Sequence, residues 1–92
     1  MATFFLFGKY SIEGVKDIKA ARTQKANALI EQNGGKVQAG YALLGRYDLV
    51  LITEFPDFKQ AMKTSVELAK LLGIGFTTAP AVSMEEFDRL VG

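Results

Sequence analysis

The stretch LLGRYDLVLITEFPD, residues 43–57, decides how this chain folds. Leu49 to Thr53, with Phe55, are apolar or β-branched at every position, so they read as a strand buried on both faces. Asp48 stands at the head of that run and Glu54 near its tail. Either these carboxylates are functional groups or they are the polar ends of a structural strand. Six residues of extended chain put them roughly 20 Å apart. They cannot act on one atom from one chain, and each needs its own partner.

Working outward, KVQAGYALL (36–44) reads as a strand and YDLVLITEF (47–55) as the next. Only Gly45-Arg46 separate them, and a glycine leading a two-residue loop suits a tight hairpin, where positive φ is required. That register sets Leu44 opposite Tyr47, Leu43 opposite Asp48, Tyr41 opposite Val50, Ala39 opposite Ile52 and Val37 opposite Glu54. Opposed residues share a face. One face then carries Val37, Ala39, Tyr41, Leu43, Asp48, Val50, Ile52 and Glu54. The other carries Leu44, Tyr47, Leu49, Leu51 and Phe55. A one-residue slip would exchange the faces.

Upstream, TFFLFGKY (3–10) is a strand apolar at both parities. In SIEGVKDIKAARTQKANALIEQNGG, Val15, Ile18, Ala21, Ala26, Leu29 and Ile30 recur at helical steps, with Ser11 as N-cap and Gly34-Gly35 as the stop. Downstream, Pro56 ends the third strand. DFKQAMKTSVELAKLLG opens with Asp57 and Gln60 as a capping box, buries Phe58, Ala61, Met62, Ser65, Ala69 and Leu72, and stops at Gly73. IGFTTAPAV (74–82) is a fourth strand, whose Pro80 belongs at a sheet edge or bulge. Ser83 with Glu86 caps a short last helix carrying Phe87, Leu90 and Val91.

The order βαββαβ is the split-βαβ, ferredoxin-like pattern: α+β, a four-stranded antiparallel sheet and a short C-terminal helix. Two right-handed crossovers place both long helices on one face. The expected organisation is one domain, residues 1–92. Phe5 and Phe7 point away from Phe4, Leu6 and Tyr10, so the second sheet face is apolar too. One short helix is too small to cover four strands. The simplest cover is a second copy, in a homodimer or a higher assembly.

Composition removes several function classes. With no cysteine and no histidine, the chain has no thiolate nucleophile, no disulfide, no imidazole base and no Cys- or His-based metal site. No cofactor and no metal are expected. A net charge of +1 gives little support for nucleic acid or an anionic membrane. An RNA-recognition sheet of this topology stacks bases on aromatics of strands one and three, and DLVLITEF lacks the aromatic-rich segment this requires. The basic run Lys16, Lys19, Arg22, Lys25 is broken by Glu13 and Asp17, as in a solvated face. No apolar run spans a bilayer and no signal peptide is visible, so a cytoplasmic location is the default expectation.

Gly45-x-Tyr47-Asp48, an aliphatic strand, and Glu54-x-Pro56-Asp57 resemble the signature of GYD-domain proteins. The region FGKYSIEGVKDIKAARTQKANALIEQNGGKV is similar to the same family's first strand and helix, including Arg22 and the paired glycines. The resemblance covers nearly the whole chain. It implies a ferredoxin-like subunit of the dimeric α/β-barrel type, and no activity. Relatives of that architecture include monooxygenases, isomerases and dehalogenase-like proteins, which is analogy only.

The expected function is therefore small-molecule binding by a homodimeric α/β barrel, the ligand small and aromatic or anionic and seated between sheet and helices. The alternative is a structural or regulatory dimerisation module with no ligand. Any catalysis would be cofactor-free acid/base chemistry, with Asp48 and Glu54 as candidate catalytic carboxylates. Candidate ligand-binding residues are Arg22, Tyr41, Tyr47, Lys9 and Tyr10. Each has a plainer reading. Asp48 can hold backbone N–H groups or pair with Lys9, and Glu54 can form a rim ion pair. Arg22 can lay its stem along the sheet, and the tyrosines can be half-buried aromatics.

Overall fold

The computed structural model describes residues 1–11 and 20–92. The element order is β1 (Ala2–Tyr10), α1 (Ala20–Gln32), β2 (Lys36–Ala42), β3 (Leu49–Phe55), α2 (Phe58–Leu72), β4 (Ile74–Ala81) and α3 (Met84–Val91). Strands lie in the order β2-β3-β1-β4, every pair antiparallel. This is the ferredoxin-like arrangement, with the doubly apolar strands β1 and β3 in the centre. Val15, Ile18, Lys16, Lys19 and the neighbouring charges of the first helix fall outside the described residues, as does the start that Ser11 was expected to cap.

Register assigns the faces. Phe4 pairs with Thr53, Leu6 with Leu51 and Gly8 with Leu49. On the other side Phe4 pairs with Pro80, Leu6 with Thr78 and Gly8 with Phe76. These residues look toward α1 and α2. There Phe4, Leu6, Ala26, Ile30, Phe55, Ala61 and Leu68 form one buried cluster. The edge of the Phe4 ring meets Phe55 at 6.2 Å between centroids. Buried hydroxyls are satisfied locally: Thr53 Oγ1 donates to the Phe4 carbonyl and Ser65 Oγ to that of Ala61. At the turn into β2, Gly35 lies so close to Phe55 that an added Cβ would sit 2.4 Å from its ring. Gly34, at φ 82°, makes the left-handed stop.

The structure corrects the expected register in one place. A bulge between Val37 and Ala39 leaves Tyr41 opposite Val50 and Ala39 opposite Ile52, but moves Val37 opposite Thr53 and Lys36 opposite Glu54. Val37 therefore packs on the core instead of the outer face. The hairpin ladder also stops earlier, at Ala42 and Leu49, although Leu43 N–H still reaches the Asp48 carbonyl. Gly45 turns the connection at φ 137°.

Helix α2 needs a second correction. Its buried residues are Ala61, Thr64, Ser65 and Leu68, while Phe58 and Met62 are 54% and 60% exposed. The core-facing arc sits about one residue step round from the one expected, which leaves the bulky side chains at its margin over β4. Asp57 does cap the helix, accepting the Phe58 N–H at 2.7 Å. The return half of the capping box is not made, because Gln60 Oε1 is buried with no hydrogen-bond partner. Ser83 caps α3 through the Glu86 N–H at 3.0 Å, yet no α3 residue is buried. Among the described residues no helix is long and apolar enough to cross a membrane.

Candidate functional site

The candidate residues fall in three places. At one end of the sheet, Asp48 sits where β3 stops covering β1. Its N–H donates to the Gly8 carbonyl, and its Oδ2 accepts the Tyr10 N–H at 2.8 Å. The side chain thus takes a backbone donor that the β3 ladder no longer reaches. Lys9 Nζ stands 3.6 Å from Oδ1, with the lysine side chain 57% exposed, a loose surface ion pair. Asp48 links the end of β1 to the start of β3.

The open sheet face carries the second group. Phe5, Phe7, Val50, Ile52, Ala39 and Tyr41 share it by register. Tyr47 was expected on the same face as Leu49 and Leu51, which the structure shows to be the helix-covered one. Tyr47 lies instead ahead of the start of β3, and its ring meets that of Phe7, tilted by 34°, at 5.1 Å between centroids. Leaving the strand frees Tyr47 from strand parity. Phe7 in turn meets Phe5 at 6.1 Å. Tyr41 is 59% exposed. At the far end Glu54 accepts a hydrogen bond from Gln38, the residue inside the bulge. Asp48 and Glu54 are held by different partners at opposite ends of β3.

The third group lies under α1. Arg22 Nη2 donates to the Leu72 carbonyl at 2.7 Å, in the last turn of α2, and the guanidinium stands 5.6 Å over the Tyr10 ring. A cation there complements the helix C-terminus, whose carbonyls have no partner further along the helix. Asp48 and Glu54, considered from sequence as partners for this arginine, do not take that place. Arg22 and Tyr10 are walls of a cavity of about 90 Å³ between the sheet and the helices. Leu49, Leu51, Leu72, Ile74 and Phe76 make its apolar lining. Thr23 and Asn27, not singled out from sequence, add polar groups one turn apart on α1. Their signal was present, since both flank Ala26 on the stripe that faces the sheet. Lys9, Tyr41, Tyr47, Asp48 and Glu54 are not among the lining residues.

What this arrangement can hold follows from size and donor type. About 90 Å³ is small beside the ~150 Å³ apolar cavity that admits benzene. It is smaller still than the ~300–1,000 Å³ of drug-sized sites. Among the described residues, no group of three or more carboxylates is placed to hold a metal ion.

Comparison with known proteins agrees with the geometry. The Mycobacterium tuberculosis leucine response regulatory protein has a similar structure at TM-score 0.59 and 10% identity, over 90% of this chain and 51% of that one. A second solved structure, of a point mutant, gives TM-score 0.59 at 11% identity with the same coverage. The chain spans about half the length of these structures, and at such identities the likeness shows the fold alone. No curated protein matches the chain. The family model described as GYD domain matches residues 4–91, nearly the whole chain, including the Gly45–Asp57 signature, and the protein belongs to the GYD domain family.

Proposed function

We propose that this protein works as a homodimeric module in which two copies pack open sheet face to open sheet face, forming a dimeric α/β barrel. The observation that supports it most is the apolar open face itself. Phe5, Phe7 and Ile52 stand half-buried on the two central strands, around a Val50 that is already buried, and the helices of the cluster lie on the opposite side. An antiparallel sheet with one solvated face alternates apolar with polar residues, and these two strands do not.

Ile52→Lys tests this reading. A lysine in the middle of that face would be buried without a partner in the dimer. Light scattering should show half the assembly mass of the unsubstituted protein, with circular dichroism unchanged. An unchanged mass would overturn the proposal.

Small-molecule binding is the second reading, favoured by Arg22 and Tyr10 meeting at the cavity. The cavity's size restricts the ligand to a few heavy atoms, such as a short carboxylate facing the guanidinium. Neither Asp48 nor Glu54 lines it, so this reading assigns those carboxylates no acid/base step there. Thermal unfolding with short-chain carboxylates tests it, since a ligand bound only by the folded state raises stability. No shift at millimolar concentrations would remove it.

A further inference from the structure

The terminal helix and the flank of α2 make a matched pair of uncovered surfaces. On α3, Met84, Phe87, Leu90 and Val91 fall on one arc and are 73%, 47%, 71% and 68% exposed. The helix is closed at both ends, by Ser83 and by the Gly92 N–H on the Asp88 carbonyl at 2.8 Å. An eight-residue helix is marginal in water on its own and is stabilised mainly by packing an amphipathic face. No α3 residue is buried within its own chain.

The complementary surface runs beside α2. Phe58, Met62 and Val66, one turn apart, are 54%, 60% and 56% exposed. They form one wall of a groove whose other wall is β4, at Phe76, Thr78 and Pro80. Two hollows on successive turns, of about 320 and 360 Å³, mark its length.

Charge completes the match. Lys59, Lys63 and Lys70 flank the α2 stripe on its solvent side, against Glu67 alone, so α2 has two excess positive charges. Glu85, Glu86 and Asp88 against Arg89 alone leave α3 with two excess negative charges. Asp88 and Glu86 border the apolar arc of α3 on its two sides.

We propose that α3 of one copy lies in the α2–β4 groove of a second copy, and that the exchange is reciprocal. Only Val82 and Ser83 connect α3 to β4. In its own chain the helix does not fill the groove, and the molecule is drawn out to 46 Å along its longest axis. The groove lies on the helix-covered side of the sheet. This contact is therefore separate from sheet-to-sheet pairing, and it joins dimers into a larger assembly through a two-fold interface.

Light scattering on four forms of the full chain tests it. Phe87→Glu/Leu90→Glu should halve the mass of the intact protein. Lys59→Glu/Lys63→Glu should lower it similarly, and adding Glu86→Lys/Asp88→Lys to that variant should restore it. Circular dichroism on each confirms that the fold persists. An unchanged mass in Phe87→Glu/Leu90→Glu would overturn the proposal, as when α3 folds onto its own groove. A loss of mass that the charge exchange does not restore would also overturn it, placing α3 on another surface. Ile52→Lys, which addresses only the sheet face, should still respond to Phe87→Glu/Leu90→Glu. That separates failure of this contact from failure of the sheet-face dimer.

Discussion

The two faces of the central sheet are built from neighbouring residues of the same strands, yet they reach different ends. Phe4 and Leu6 face the helices and are 4% and 0% exposed, inside a closed core. Phe5 and Phe7, one residue along, face outward and are only half-buried. The sequence chemistry is the same on both sides, and what differs is the cover available within one chain. Two helices suffice for one face. The other keeps an apolar surface that the helices do not cover. Strand composition reports how apolar each face is, and chain topology decides which face the helices cover.

The largest effect that would sharpen this contrast belongs to the covered face. Leu6→Ala should cost about 2–5 kcal/mol in denaturant unfolding, because a fully buried side chain is removed from a packed core. A loss under about 1 kcal/mol would mean that this face is less tightly packed than its burial indicates. At the sheet end, Asp48→Ala leaves the Tyr10 N–H without its acceptor and should cost about 1–3 kcal/mol. Asp48→Asn keeps an acceptor oxygen and should lose less. Equal losses in the two variants would show that the charge, through Lys9, matters more than the strand-end hydrogen bond. The smallest effect belongs to Glu54, whose partner is the Gln38 side chain at an exposed edge. Glu54→Gln should stay within about 0.5 kcal/mol of the parent, as surface substitutions usually do. A larger loss would give the carboxylate a role that its surroundings do not indicate.

Much of this contrast was legible in the sequence. Apolar residues at both parities of TFFLFGKY and DLVLITEF marked the two central strands, apolar on both faces, and the glycine-led turn set most of the hairpin register. The juxtaposition of Asp48 and Lys9 followed from antiparallel neighbours. Other features carried no local signal. Nothing in KVQAGYALL announces a bulge at Gln38, because the extra residue is accommodated by pairing with β3 and not by a turn residue. Phe58 and Met62 read as core because an apolar pattern cannot distinguish a side chain buried within the chain from one left at its margin. The hydrogen-bond partner of Arg22 was hidden for another reason. It is a backbone carbonyl, fifty residues away, brought under the guanidinium by the packing of α1 on α2.

The central claim is that a second copy covers the open sheet face. Light scattering on the Phe87→Glu/Leu90→Glu chain tests it most directly, because that variant leaves the sheet face intact and removes the terminal-helix contact. The account predicts twice the 10.1 kDa chain mass across the micromolar range. A mass of 10.1 kDa throughout that range would contradict it.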